Sequence, residues 1–401
     1  MSPQFWSSLV VNIWEAHLTN VERALLLIEM AIQRSKNHPL TFQFKIDKDN
    51  ESDLSDCHKL LEALMAQSTR WLNIYLDLPS SMTSLLYAVK TRLPILRTFR
   101  LIITRDDTPN DENALQFGDL FEEAPQVRHA SIIEYSLAAW KLNWSSITTL
   151  HLHFQRRVQS ESLVNFLQGL EHLEELYLDG GGCDSFAPRV ALPFLRCLGI
   201  AAMENLALFE APALEELYIK SFSNRTATQY SWLVRDLVGP LNHLKTLVLL
   251  LTSIDMAVLT FQCLPDVPNI DFHVQDLSIL KILPLCPSAR HLETMTVGLA
   301  LDYEDRELFD VLNLFELWSA QGNATTGFGP FQGLQRFTLI LYNRQHEVVI
   351  DRIESRITGL FEERGVQCSI KHQWPLEEDY GDLVVPPFDL FGGQVANYLL
   401  N

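Results

Sequence analysis

One spacing of apolar positions returns along most of the chain: two that lie three apart, a third after three more, and a fourth after two. In LEHLEELYLDG the positions are Leu170, Leu173, Leu176 and Leu178. LPILRTFRL (Leu93, Leu96, Phe99, Leu101), LPFLRCLGI (Leu192, Leu195, Leu198, Ile200) and APALEELYI (Ala211, Leu214, Leu217, Ile219) repeat it. LNHLKTLVL (Leu241, Leu244, Leu247, Leu249) and FQGLQRFTL (Phe331, Leu334, Phe337, Leu339) repeat it again. The first two positions belong to a turn leading inward, and the last two share one face of a strand. A unit of this kind buries one side and has no core of its own. Stacked units give a continuous parallel sheet over a shared interior.

Weaker copies begin at Ser68, Ala124, Trp144, Leu264 and Ala289. Matching strand positions then fall at Phe99, Ala130, Leu150, Leu176, Leu198, Leu217, Leu247, Ile270, Met295 and Phe337. Their separations run from 19 residues (Leu198 to Leu217) to 42 (Met295 to Phe337). A leucine-rich repeat takes about 20–29 residues. The predicted fold is therefore an α/β leucine-rich-repeat solenoid, with a curved parallel sheet on the concave face and helices and irregular turns on the convex face. The Asn or Cys expected past each strand is absent; Thr104, Gln155, Gly181 and Thr252 occupy such positions. Helices are predicted over Glu161–Leu170 and Glu307–Ser319, and another stopped by Gly365. Val366–Lys371 reads as the last strand.

The N-terminal third alternates likewise without the full signature: strand Phe5–Val11, helix Val21–Arg34, strand Leu40–Ile46, helix Ser55–Ser68, strand Trp71–Leu78. The organisation expected is 1–92 as N-terminal β/α repeats, 93–371 as degenerate leucine-rich repeats, and 372–401 as a C-terminal cap packing Trp374 and Phe388 or a loose tail.

Composition narrows the function classes. The 401 residues are 47% hydrophobic and 20% charged, too apolar for disorder. A net charge of −19 opposes nucleic-acid binding, which needs Lys and Arg to neutralise phosphates. No apolar run reaches the roughly 18 residues of a membrane span, and no signal-peptide pattern opens the chain. Six cysteines lie far apart without a C-x-x-C pair, so a reduced state in cytoplasm or nucleus is expected. The chain is expected to be monomeric.

SPQFWSSLVV, SKNHPLTFQFKI, STRWLNIYLDLP, LPILRTFRLII and FEEAPQVRHASI, in that order, resemble the F-box proteins expanded in mushroom-forming (basidiomycete) fungi. Ser2, Pro3, Trp6, Ser7, Ser8 and Leu9 match the segment following the F-box. Arg34, Ser35, Pro39 and Leu40 match a second element, and Trp71, Ile74 and Leu76 a third. The resemblance implies a substrate-recognition protein of a Skp–cullin–F-box-type ubiquitin ligase, whose repeats hold the protein to be ubiquitylated. It also implies an F-box upstream of Ser2, which this chain lacks, so an adaptor of the ligase is a partner only where an F-box precedes it. The alternative is a free-standing scaffold or decoy without ligase coupling. An uncovered first repeat exposes apolar surface and an open strand edge. Light scattering is expected to show more aggregation for this chain than for one carrying an upstream helical cap.

Residues interleaved with the strand leucines point away from the core, and the repeat alignment places candidate partner-binding residues there: Tyr75, Arg100, His151, His153, Glu175, Tyr177, Asp179, Glu216, Tyr218 and Lys220. Asn73, Asp77, Thr98 and Thr149 share the face. Tyr177 and Tyr218 hold the same slot in two LEELY copies, an expected separation of about 10 Å. Tyrosine combines apolar area with a polar tip, which suits an interface anchor. His151, His153 and Asp179 have the residue types of a zinc site, although strand histidines without metal are far commoner. GNATTGFG has P-loop glycine spacing but puts Phe328 where lysine must stand. DGGGCDSF matches no dinucleotide fingerprint. No catalytic motif, metal site or cofactor is expected, and the ligand expected is another protein.

Overall fold

A computed structural model of the chain describes residues 2–13, 21–46, 54–104, 119–134, 141–142, 144–154, 160–180, 189–202, 206, 208–221, 243–251, 267–274, 280–281, 291–299, 305–321, 331–342 and 347–373. It divides into two compact units, Met1–Gly180 with Val384–Asn401, and Gly181–Leu383.

In the first unit, alternating burial makes each short apolar segment a strand. Leu40, Phe42, Phe44 and Ile46 of one strand are buried while Thr41, Gln43 and Lys45 between them are not. The strands are β1 (Ser8–Ile13), β2 (Leu40–Ile46), β3 (Trp71–Pro79), β4 (Thr98–Thr104), β5 (His129–Glu134), β6 (Thr149–Phe154) and β7 (Glu175–Gly180). Each pairs in parallel with the next in sequence. Phe99, Ala130, Leu150 and Leu176 are register partners across β4–β7, as their common repeat position requires. Crossovers contain α1 (Val21–Ser35), α2 (Leu54–Met65), a 3-10 segment at Ser80–Val89 and α3 (Ser160–Leu167).

The second unit repeats the plan. Its main sheet holds β9 (Cys197–Ala202), β11 (Glu216–Ser221), β12 (Thr246–Leu251), β13 (Asn269–Val274), β14 (Thr294–Leu299), β15 (Arg336–Tyr342) and β16 (Gln367–Gln373). A short parallel pair, β8 (Val190–Ala191) with β10 (Phe209–Glu210), lies apart from it. Leu198, Leu217, Leu247, Ile270, Met295 and Phe337 are register partners. Helices α4 (Asp305–Gln321) and α5 (Glu347–Glu362) precede β15 and β16. Phe315 and Trp318 of α4 gather with Phe331, Phe337 and Phe361, and the Phe337 and Phe361 rings stack at 4.1 Å. Parallel strands in chain order, with helices among the described crossovers and a leucine-built core, make this an α/β leucine-rich-repeat solenoid.

Side chains alone do not hold the register. At the start of seven repeats, one carbonyl accepts two consecutive backbone N–H groups of the following repeat. Arg97 O takes Arg128 N and His129 N at 2.9 and 3.1 Å, and Arg128 O takes Thr148 N and Thr149 N at 2.9 and 3.1 Å. Thr148 O, Arg196 O, Glu215 O, Pro268 O and Glu293 O do the same. A buried carbonyl has two lone pairs to satisfy, and this clasp uses both.

The residues that carry the sequence resemblance do structural work. The Arg34 guanidinium lies 4.4 Å from the Trp6 ring centroid. Ser35 Oγ donates to Ile32 O at 2.8 Å and accepts from Arg70 Nη2 at 2.7 Å. Arg70 also donates to His38 O at 3.0 and 2.9 Å, which ties the turn after α1 to the start of β3. Helix α1 presents Val21, Ala24, Ile28, Ala31 and Ser35, one buried stripe at helical spacing.

Some element boundaries shift from expectation. Phe5–Val11 is not one strand: Pro3–Ser7 is a 3-10 turn and β1 starts at Ser8. Pro3 fixes φ and lacks an N–H, Phe5 N bonds Ser2 O at 3.0 Å, and Ser7 Oγ bonds Gln4 O at 2.7 Å, so the turn satisfies itself. Helix α3 ends at Leu167 rather than Leu170, while α4 reaches two residues further at each end than predicted.

Gly365 stops α5 as expected, with φ +73°. Val366 N bonds Phe361 O at 3.0 Å and Gly365 N bonds Glu362 O at 2.9 Å, a Schellman arrangement. Gly365→Ala is expected to cost about 1–2 kcal/mol by forcing a Cβ into left-handed backbone, measured as a lower urea midpoint with unchanged slope. An unchanged midpoint would show that the helix end can relax.

Among the described residues, strand β1 has one neighbour, β2. Beside it Trp6, Leu9, Val10 and Val11 line an apolar groove with Ala24, Leu27, Ile28, Met30 and Ala31 of α1. Among the described residues, Cys57 and Cys197 are buried and Cys368 is half-buried, and no helix is long and apolar enough to cross a membrane. The GNATTGFG stretch, residues 181–186 of DGGGCDSF and the tail from Trp374 lie outside the described residues.

Candidate functional site

Buried leucines at alternate positions leave the intervening residues on the opposite face, and the parallel register lines these into rows. In the first unit the register gives three. The first runs Thr41, Asn73, Thr98, His129, Thr149, Glu175; the second, Gln43, Tyr75, Arg100, Ser131, His151, Tyr177; the third, Lys45, Asp77, Ile102, Ile133, His153, Asp179.

Neighbours along each row touch. In the first, Asn73 Nδ2 donates to Thr41 Oγ1 at 3.1 Å and Thr149 Oγ1 reaches Glu175 Oε2 at 3.5 Å. In the second, the Arg100 guanidinium sits 5.1 Å from the Tyr75 ring centroid. Ser131 Oγ and His151 Nδ1 are 3.3 Å apart, and the His151 and Tyr177 rings meet edge to face at 6.2 Å. In the third, Lys45 Nζ lies 3.8 Å from Asp77 and His153 Nδ1 lies 3.2 Å from Asp179. The register expected between His153 and Asp179 is thus present. Contacts of this kind restrict rotamers before any partner arrives, which lowers the entropy lost on binding.

Exposure varies across the face. Glu175 is exposed, and Tyr75, Arg100 and His153 are half-buried. Ser131 is fully buried, and His151, Tyr177 and Asp179 are each 4% exposed. Burial pushes the His129 imidazole below its ordinary value, and the Arg128 charge adds to the effect. The ring therefore stays neutral near pH 7.

The arrangement does not assemble catalytic chemistry. Ser131 and His151 are a hydroxyl and an imidazole in contact, but both sit mid-strand. The backbone N–H groups around them serve the sheet ladder and cannot cradle an oxyanion. His153 pairs with Asp179 while His151 turns to Ser131 and Tyr177. Among the described residues, no group of three His, Cys, Asp or Glu side chains converges as metal ligands.

In the second unit the corresponding rows begin Cys197, Glu216, Thr246, Asn269 and Gly199, Tyr218, Val248, Asp271. Tyr218 Oη donates to Glu216 Oε2 at 3.0 Å. Burial, reinforced by the Glu216 carboxylate, pushes the Tyr218 phenol well above its usual value, so it acts as a neutral donor. Lys220 belongs to β11, but its side chain lies outside the described residues. Before the strands, Glu215 bridges Arg196 and Lys245 at 2.8 and 2.9 Å, and these two bonds pull its carboxyl down to about 2.

His273 Nε2 lies 3.1 Å from Asp271 and its ring fills the space over Gly298, where a Cβ would meet Nδ1 at 2.1 Å. Gly298→Ala is expected to displace that ring and cost about 1–3 kcal/mol, the range for overpacking. Urea unfolding checks it, and a loss below about 0.5 kcal/mol would mean the imidazole swings away freely.

No protein-family model and no curated protein matches the chain. Among solved structures, the chain is similar to the leucine-rich-repeat-containing protein LegL7 from Legionella pneumophila. The identity is 13%, the match covers 87% of this chain and 90% of that one, and the TM-score is 0.31. The fold assignment rests on the register and core described above.

Sequence alignment of repeats placed Tyr75, Arg100, His151, His153, Glu175, Tyr177 and Asp179 on the outer face of the first unit, and Glu216 and Tyr218 on that of the second. It missed Gln43, Lys45, His129 and Ser131. His129 and Ser131 flank Ala130, the small residue that weakens APQVRHASI as a repeat copy. Alternation around Ala130 would have found both.

Proposed function

We propose that the chain is a non-enzymatic protein-recognition module, and that the outer face of β3–β7 is its binding surface. The observation that carries this is the set of cross-strand contacts among Tyr75, Arg100, Ser131, His151 and Tyr177. It is an ordered row of aromatic and hydrogen-bonding side chains, the types that dominate interface energetics. The resemblance to fungal F-box proteins supports a finer reading, substrate recognition for a Skp–cullin–F-box-type ubiquitin ligase in cytoplasm or nucleus. A free-standing scaffold or decoy that uses the same face without ligase coupling is the second reading.

Affinity purification of the tagged chain beside its Arg100→Glu variant tests both. Proteins lost selectively from the variant are held by the face. Recovery of the ligase adaptor with both supports ligase coupling, and recovery of face-dependent partners without adaptor supports the scaffold. A protein set unchanged by the variant would overturn the face as the binding surface.

A further inference from the structure

The apolar groove beside β1 continues along α1 into two cations. Leu27 and Met30 line it together with Trp6 and Val10. One helical step outward on either side stand Arg23 and Arg34, so positions 23, 27, 30 and 34 form a single stripe at i, i+4, i+7 and i+11. Both arginines are exposed, and Leu27 and Met30 are half-buried. The Arg34 guanidinium lies 4.4 Å from the Trp6 ring centroid, which holds it beside the groove. Apolar surface extends past the rim, since Phe5 is 45% and Leu26 65% exposed. The two carboxylates of α1, Glu22 and Glu29, fall outside the stripe.

Charge selects the occupant. In a chain of net charge −19, the stripe sets two cations around a hydrophobic centre. A second copy fits poorly. Laid antiparallel on its equivalent, α1 brings Arg23 against Arg34; laid parallel, it brings each arginine against itself. An anionic membrane would suit the stripe, but it repels a molecule that is strongly negative elsewhere. A helix whose apolar residues are bracketed by carboxylates matches both features, and one helical ridge packs well into the groove beside another. The arginines are 11 residues apart, about 16.5 Å along the axis at a rise of about 1.5 Å per residue. The complementary partner therefore carries carboxylates at that same interval, with two aliphatic anchors between them.

We propose that the groove between β1 and α1 docks an amphipathic helix of a separate polypeptide, whose carboxylates pair with Arg23 and Arg34. The arginine–carboxylate bonds set its register, and its aliphatic residues bury against Val10, Leu27 and Met30. The site shares no residue with the outer face of β3–β7, so it stands whether or not that face binds a partner.

The test uses the full-length chain and a fluorescein-labelled synthetic helix. The peptide carries Glu-x-x-x-Leu-x-x-Leu-x-x-x-Glu within an alanine- and glutamine-rich sequence, and fluorescence anisotropy reads its binding. Saturable binding is expected. Replacing both Glu by Lys, or both Leu by Ser, is expected to weaken it at least about tenfold. The double variant Arg23→Glu/Arg34→Glu is expected to reverse the preference, holding the lysine peptide at least about tenfold more tightly than the glutamate peptide. Misfolding cannot produce such a reversal. No saturable binding, equal affinity for the two peptides, or an unchanged preference in the variant overturns the proposal. Two further outcomes also overturn it, if the double variant abolishes them: co-sedimentation of the native chain with phosphatidylserine vesicles assigns the stripe to a membrane, and a dimer in analytical ultracentrifugation assigns it to a second copy.

Discussion

Trp71→Ala is expected to destabilise the first unit by about 3–5 kcal/mol, the cost of removing a fully buried indole that its surroundings cannot refill. Trp71 is 0% exposed, its ring meets Phe42 edge to face at 5.1 Å, and its Nε1–H donates to Leu64 O at 3.1 Å. It therefore joins β3 to β2 on one side and to the last turn of α2 on the other. Trp71→Phe separates the contributions. It keeps most of the ring volume and loses the hydrogen bond, at an expected cost of about 1–2 kcal/mol. Leu64 O keeps its bond from Gln67 N at 2.9 Å, so the carbonyl is not left without a donor. Urea unfolding followed by far-UV circular dichroism measures both. A Trp71→Ala loss under about 1 kcal/mol would mean that the surrounding core collapses into the cavity, contrary to close packing around β2 and β3.

The second large effect concerns recognition. Arg100→Glu is expected to weaken binding of a face-dependent partner by at least about 30-fold, the 2 kcal/mol typical of a central anchor. The guanidinium is half-buried against Tyr75 in the middle row, and reversing its charge also removes the cation–π contact. Arg97→Glu is the control. Arg97 is exposed and lies in the turn before β4, one residue short of the strand, and its carbonyl clasp survives any side-chain change. Calorimetric titration should show the Arg97 variant within about twofold of the native chain. Equal losses in both would indicate that overall charge, rather than the face, governs affinity.

Much of the fold was legible because leucine spacing encodes register directly. Every strand position assigned from Phe99 to Leu176 and from Leu198 to Phe337 is a register partner of its neighbour in the same unit. A one-residue slip would have turned each leucine to the other face. Strand β2 runs over the residues expected, and Gly365 ends α5 because glycine, lacking a Cβ, adopts φ +73° without steric cost. Less could be read where packing decides. The 3-10 turn at Pro3–Ser7 shares its apolar residues with a strand pattern, and only Pro3 hinted otherwise. The candidate site was legible as a list of outward positions but not as a set of contacts. That His151 leans on Tyr177 and Ser131 while His153 takes Asp179 depends on rotamers, which spacing does not specify. Nor did alternation foretell the burial of Ser131 and Tyr177, since a pattern assigns a face and not a degree of exposure.

The paired acceptance of two amides by one carbonyl recurs in both units with arginine, threonine, glutamate or proline at the accepting position. It asks nothing of any side chain. Successive rungs can therefore exchange their outward residues, and even lose the asparagine ladder of regular arrays, without forfeiting alignment. Inheritance acting on such a scaffold can retarget it by point changes alone, because specificity and foldability are written in separate atoms.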